Sequence, residues 1–121
     1  MKHVHAIPLF LAVINLAQVA IADVDYLTQI KPLLSQKCYS CHGVLKQQAG
    51  LRLETTALMH KGGDSGTGLV AGQSDASLVL QRVTADEDNR MPPAEDGAAL
   101  KPDEIALLRK WIDEGAHGPD E

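Results

Sequence analysis

Five residues in the first third of the chain, Cys38-Tyr39-Ser40-Cys41-His42, limit what it can fold into more than any other feature. Cys-x-x-Cys-His is the spacing by which two thiols attach to the vinyl groups of one haem while the adjoining imidazole ligates its iron. On a helical turn, residues three and four apart share a face. Cys38 and Cys41 can therefore reach neighbouring pyrrole edges, and the ring of His42 can swing over the metal. A chain with such a site is expected to fold around one covalent haem c. A further acceptor, usually a backbone carbonyl, is expected to take the other ring N–H of His42 and fix its tautomer.

The rest of the composition agrees with a core that needs help. The N-terminus reads Met1-Lys2-His3-Val4-His5, a mostly apolar run from Ala6 to Val19, then Ala20-Ile21-Ala22. That is the basic region, apolar stretch and small-x-small site of an export signal. The run is too short to cross a bilayer comfortably, and Asn15 and Gln18 interrupt it. The expected division is a signal peptide over 1–22 and one domain over 23–121, exported to the periplasm and without a stable membrane span. Removing 22 of the 121 residues leaves 99, and Lys2 and Phe10 go with them. The remaining aromatics are Tyr26, Tyr39 and Trp111, a thin core for a domain of this size. A buried porphyrin would supply the missing apolar surface. The whole chain carries a formal charge of −5, and the processed one is a unit more acidic. That disfavours nucleic acid and favours a redox partner with a basic docking surface.

Three other uses of the cysteine pair compete. A plain disulfide would close a strained small ring. A thiol oxidoreductase motif wants a βαβ setting. A zinc site wants more ligands than one pair and scattered histidines supply. Attachment of haem takes place outside the cytoplasm, so the motif and the export signal reinforce each other.

A second axial ligand would close the iron, and a thioether would raise its potential. Met1 lies in the signal. Met59 stands beside His60 in a short helical stretch and reads as packing. Met91 precedes Pro92-Pro93, which push it away from helical angles and stiffen the chain beyond it. It is the favoured distal ligand, carried on a rigid strap from Arg90 to Ala99. His60 and His117 read as surface residues. Arg52, Arg82 and Arg90 are candidates for pairing with haem propionates, Arg90 favoured by its place beside Met91.

The chain otherwise reads as helices joined by Gly-rich loops. Asp23 or Asp25 caps a first helix through Tyr26, Ile30, Leu33 and Leu34. Pro32 kinks it or starts its second half, and the helix runs into Cys38–His42. A loop comes next, with a short extended piece at Leu51-Arg52-Leu53. Thr55 or Thr56 starts a short helix through His60, and Gly62-Gly63 ends it. Ser74 or Asp75 caps a helix bearing Leu78, Val79, Arg82 and Val83. Asp86-Glu87-Asp88-Asn89 is a solvated acidic turn. The last helix starts at Pro102 with Asp103 and Glu104 against its positive end. It carries a stripe of Ile105, Leu108, Trp111 and Ile112, and stops at Gly115. Lys101 is a poor N-cap, so its start is expected to fray. Trp111 is expected where the first and last helices cross. Gly62–Gly66 lacks the ending and the preceding strand of a phosphate cradle. No strand-length alternation competes, so the fold is expected to be all-α.

Several of these segments together carry a resemblance. They are Ile30-Lys31-Pro32-Leu33-Leu34, Cys38 to Gly43, Gly50-Leu51-Arg52-Leu53, Lys61 to Gly66, Arg90-Met91-Pro92-Pro93 and Leu107 to Ala116. In this order they resemble the planctomycete-type cytochrome c domain of the class I cytochrome c superfamily, over nearly all of residues 25–116. The resemblance implies a small helical fold whose terminal helices cross beside the haem. It implies Cys38 and Cys41 as thioether anchors, His42 as proximal ligand and Met91 as distal ligand. The expected function is single-electron transfer by a carrier that is not itself an enzyme. The alternatives are a haem sensor or peroxidase-like site with an open distal face, or the redox module of a larger secreted oxidoreductase.

Overall fold

Asp25 accepts a hydrogen bond from the Thr28 backbone N–H at 2.8 Å and so begins the first helical segment. In this computed structural model, which describes residues 8, 10–17 and 23–119, that segment has two parts. A π-helical turn spans Tyr26–Ile30 and runs directly into α1, Lys31–Lys37. Pro32 accounts for the change. It has no N–H to give, and its ring crowds the carbonyl four residues back. A wide turn, closed by Lys31 N–H on the Tyr26 carbonyl, relieves that crowding. Pro32 thus opens the second half of the helix, one of the two outcomes expected for it.

Three more helices complete the chain: α2, Thr56–Lys61; α3, Leu78–Val83; and α4, Pro102–Asp113. Thr55 caps α2 by accepting from Leu58 N–H at 3.1 Å. Gly62 stops it at φ +71°, where a side chain would also collide with the Gly66 carbonyl. The helix expected from Ser74 divides. Ser74–Ala76 is a separate 3₁₀ turn and α3 begins only at Leu78. Ser77 shows why: its buried hydroxyl donates to the Gln73 carbonyl at 2.9 Å and accepts from Val70 N–H at 2.9 Å, so it ties a loop instead of capping. At α4 the weak cap is mended. Glu104 reaches back to accept from the Lys101 N–H at 2.8 Å. Among the described residues there is no strand, only two isolated bridges, His42 with Gln47 and Gly63 with Gly66. The regular structure of the described residues is helical, as expected.

The core lies between the π turn and α1 on one side and α3 and α4 on the other. Trp111 is 1% exposed and stacks on Tyr26 with ring centroids 5.6 Å apart, at the crossing of first and last helices. Trp111 Nε1–H donates to the His117 carbonyl at 3.0 Å and folds the tail back. Ile30, Leu34, Leu80, Leu108 and Ile112 complete the packing. Phe10, Leu11, Val13, Ile14 and Leu16 stand outside it, each at least 80% exposed. The ends of the expected signal, Met1–His5 and Ala20–Ala22, lie outside the described residues. No helix among the described residues is long and apolar enough to cross a membrane.

Candidate functional site

α1 ends one residue before Cys38, short of the expected run into His42, but the backbone keeps a helical turn there. The Cys38 carbonyl accepts from both Cys41 N–H (3.2 Å) and His42 N–H (2.9 Å). The three- and four-residue spacing therefore survives. Gly43 closes the turn. A Cβ at this position would collide with the Tyr39 carbonyl oxygen. The chain then curls back, with Gln48 N–H on the Cys41 carbonyl and Leu53 N–H on the His42 carbonyl.

This turn forms one wall of a cavity of about 380 Å³, within the range of a small-molecule or cofactor site. Cys38, Cys41 and His42 line one part of it and Met91, Pro92 and Pro93 another. Between them stand Leu51 and Leu53 from the loop, Val79 and Val83 from α3, and the glycine-rich stretch Gly63 to Gly68. All four sequence-predicted ligands thus reach a single cavity. Met59 does not; it is 1% exposed and packs in the core. His60 and His117 are exposed and take no part in the cavity wall. The loop piece Gln48–Gly50 was not anticipated. It forms a 3₁₀ turn with Ala49 at φ +53°, and Ala49 joins the cavity wall. Gly50, at φ +64°, ends the turn, but Ala49 itself carries no sequence signal for a positive φ.

The polar chemistry of the wall is specific. His42 Nδ1 is buried and has no hydrogen-bond partner among the described residues. The backbone acceptor expected for it is not found among the described residues. Burial pushes the Cys38 thiol up to about 12, with the neighbouring Cys41 adding to the shift. A thiol so far from ionising is the opposite of a redox-active Cys-x-x-Cys, whose leading thiol is held low. Both cysteines are free thiols. Among the described residues no three His, Cys, Asp or Glu side chains gather to hold a metal ion by themselves.

The strap is anchored from both sides. Met91 N–H donates to the Arg82 carbonyl at the end of α3 (2.9 Å). The Arg90 guanidinium donates to the Pro92 carbonyl at 2.6 Å and to the Gly97 carbonyl at 3.2 Å. This corrects one expectation. Arg90, favoured as a propionate partner, bonds strap carbonyls through both terminal nitrogens and does not line the cavity. Arg52 is also engaged, in a bidentate pair with Glu54 at 3.0 and 3.2 Å. That bond holds the Glu54 carboxyl below its ordinary range. Arg82 lines the cavity with its side chain unpaired among the described residues.

Residues 38–95, from the first cysteine to just past the prolines, match the family model described as Planctomycete cytochrome C. This segment is a planctomycete-type cytochrome c domain. No curated protein and no solved structure gives a significant match. A cytochrome c domain carries haem, typically bound covalently, and generally serves as an electron carrier. The chain's own residues fit that group: two thiols one helical turn apart, an imidazole, an apolar wall and a methionine strap, all on one cavity.

Proposed function

We propose that this c-type cytochrome passes single electrons through one haem c, attached by thioethers to Cys38 and Cys41 and held axially by His42 and Met91. The observation that carries the reading is the convergence of these four residues on one cavity. When bound, the haem supplies a reversible one-electron couple. The protein's part is to hold and shield it. Leu51, Leu53, Val79 and Val83, which line the cavity, would keep water from a haem held there, and with a thioether ligand this would raise its potential. The strap, tied to α3 through Met91 N–H and clamped by Arg90, limits movement of the ligand between oxidation states. Arg82 is the arginine free to receive a propionate.

The chain is read as an exported periplasmic carrier. Its acidic surface would steer a partner with a basic docking face. Service as the redox module of a larger secreted oxidoreductase is compatible with the same site. The test is a pyridine haemochrome assay on protein made with the maturation apparatus, paired with the ferric spectrum of Met91→Ala. Haem should remain attached in the variant while the methionine–iron charge-transfer band disappears and the ferrous form binds CO. An unchanged spectrum removes Met91 from the iron.

A further inference from the structure

We propose that the Ala22–Asp23 bond is the point at which a signal peptidase releases the mature chain, and that Glu114 is a receptor for the α-ammonium created there. The inference rests on the export reading, which already places the cut after residue 22, and adds to it the group that receives the new terminus.

The Asp23 backbone nitrogen lies 3.1 Å from both carboxylate oxygens of Glu114. Val24 N–H donates to the same carboxylate at 3.0 Å. The chain joins the fold at this place: Val24 is already buried, whereas the apolar residues from Phe10 to Leu16 lie outside the core. The small-x-small triplet Ala20-Ile21-Ala22 immediately precedes it.

Glu114 sits at the C-terminal cap of α4. A carboxylate is disfavoured there, since the helix end already carries partial negative charge. The same potential, added to the carboxylate, suits a cation. In the unprocessed chain Asp23 offers one N–H shared between two oxygens. Hydrolysis adds water across the Ala22–Asp23 amide. The C–N bond breaks, Ala22 leaves as a carboxylate, and the Asp23 nitrogen becomes an ammonium with three protons. Each Glu114 oxygen then has a donor of its own and a full opposite charge.

The other charges at the junction are the Asp23 carboxylate and Lys110, whose Nζ pairs with it at 3.2 Å. Asp25 and Asp113 are engaged elsewhere, with Thr28 and Ser74. The Glu114 pair raises the terminal ammonium above its ordinary range of about 7.7–8.0. Its stabilisation is complete below that range and is lost as pH rises through the higher value.

The experiment starts with the full chain exported in a bacterial host and its terminus sequenced; Asp23 is expected. The α-amine of that product is then titrated by its acylation rate against pH, beside Glu114→Gln and a form carrying a Gly-Ser extension before Asp23. The shift expected between wild type and Glu114→Gln is about half a unit, the size an exposed pair supports. The extended form should titrate in the ordinary range whether or not the Gln variant folds well. A chain never exported overturns both the inference and the export reading; an intact chain in the periplasm overturns the inference alone. A terminus other than Asp23, or equal titration in wild type, Glu114→Gln and the extended form, overturns the inference alone.

Discussion

Preventing haem attachment should unfold the domain, and the structure sets the size of the effect. A cavity of about 380 Å³, charged at roughly 24 cal/mol per Å³, corresponds to about 9 kcal/mol of packing that the polypeptide does not make by itself. The cavity opens at its mouth, so inward collapse recovers part of this. Halving the figure leaves about 4–5 kcal/mol. A domain of this size has a total stability of only about 5–15 kcal/mol. The haem-free chain therefore loses about a third or more of the stability such a domain has, and at the low end all of it. The assay is far-UV circular dichroism with thermal and urea unfolding of Cys38→Ala/Cys41→Ala, made without the maturation apparatus. Cys41→Ala, which keeps one thioether, controls for loss of a sulfur. The double variant should show little helix and no cooperative transition. A sigmoidal transition with the helix content of the holoprotein would refute the reasoning.

Three further outcomes are expected from named contacts. Arg90→Ala releases the carbonyls of Pro92 and Gly97 and should lower the pH at which the ferric protein loses its methionine–iron band; Arg90→Lys should restore part of it. Trp111→Ala, at the crossing of α4 with the π turn, should cost about 3–5 kcal/mol in urea unfolding of the holoprotein. Arg52→Gln should cost no more than about 1 kcal/mol at neutral pH, because its pair with Glu54 is partly exposed. The depressed Glu54 carboxyl gives stability that is present above its ordinary range and lost as pH falls through the lowered one. The difference between wild type and Arg52→Gln should therefore vanish in acid.

The site was largely legible in the sequence because it is local. Cys38, Cys41 and His42 fall within one turn, and Met91 is marked by the two prolines after it. Helix ends set by adjacent residues were legible for the same reason, as Thr55 and Gly62 show at α2. What escaped was set by side-chain bonds to particular backbone groups, which residue type and spacing do not name. Ser77 looks like an ordinary helix-start residue, yet its hydroxyl is drawn to Val70 and Gln73. Arg90 looks like an anion partner because of its neighbour, but strap carbonyls reach it first. Glu114 and Asp23 are 91 positions apart, and no spacing rule joins them.

The most direct measurement of the central claim is the intact mass, under denaturing conditions, of the exported protein made with a working maturation apparatus. One haem should remain on each chain after unfolding, and replacement of both Cys38 and Cys41 should remove it. A chain with the mass of the bare polypeptide would contradict the claim, as would a haem that leaves on denaturation.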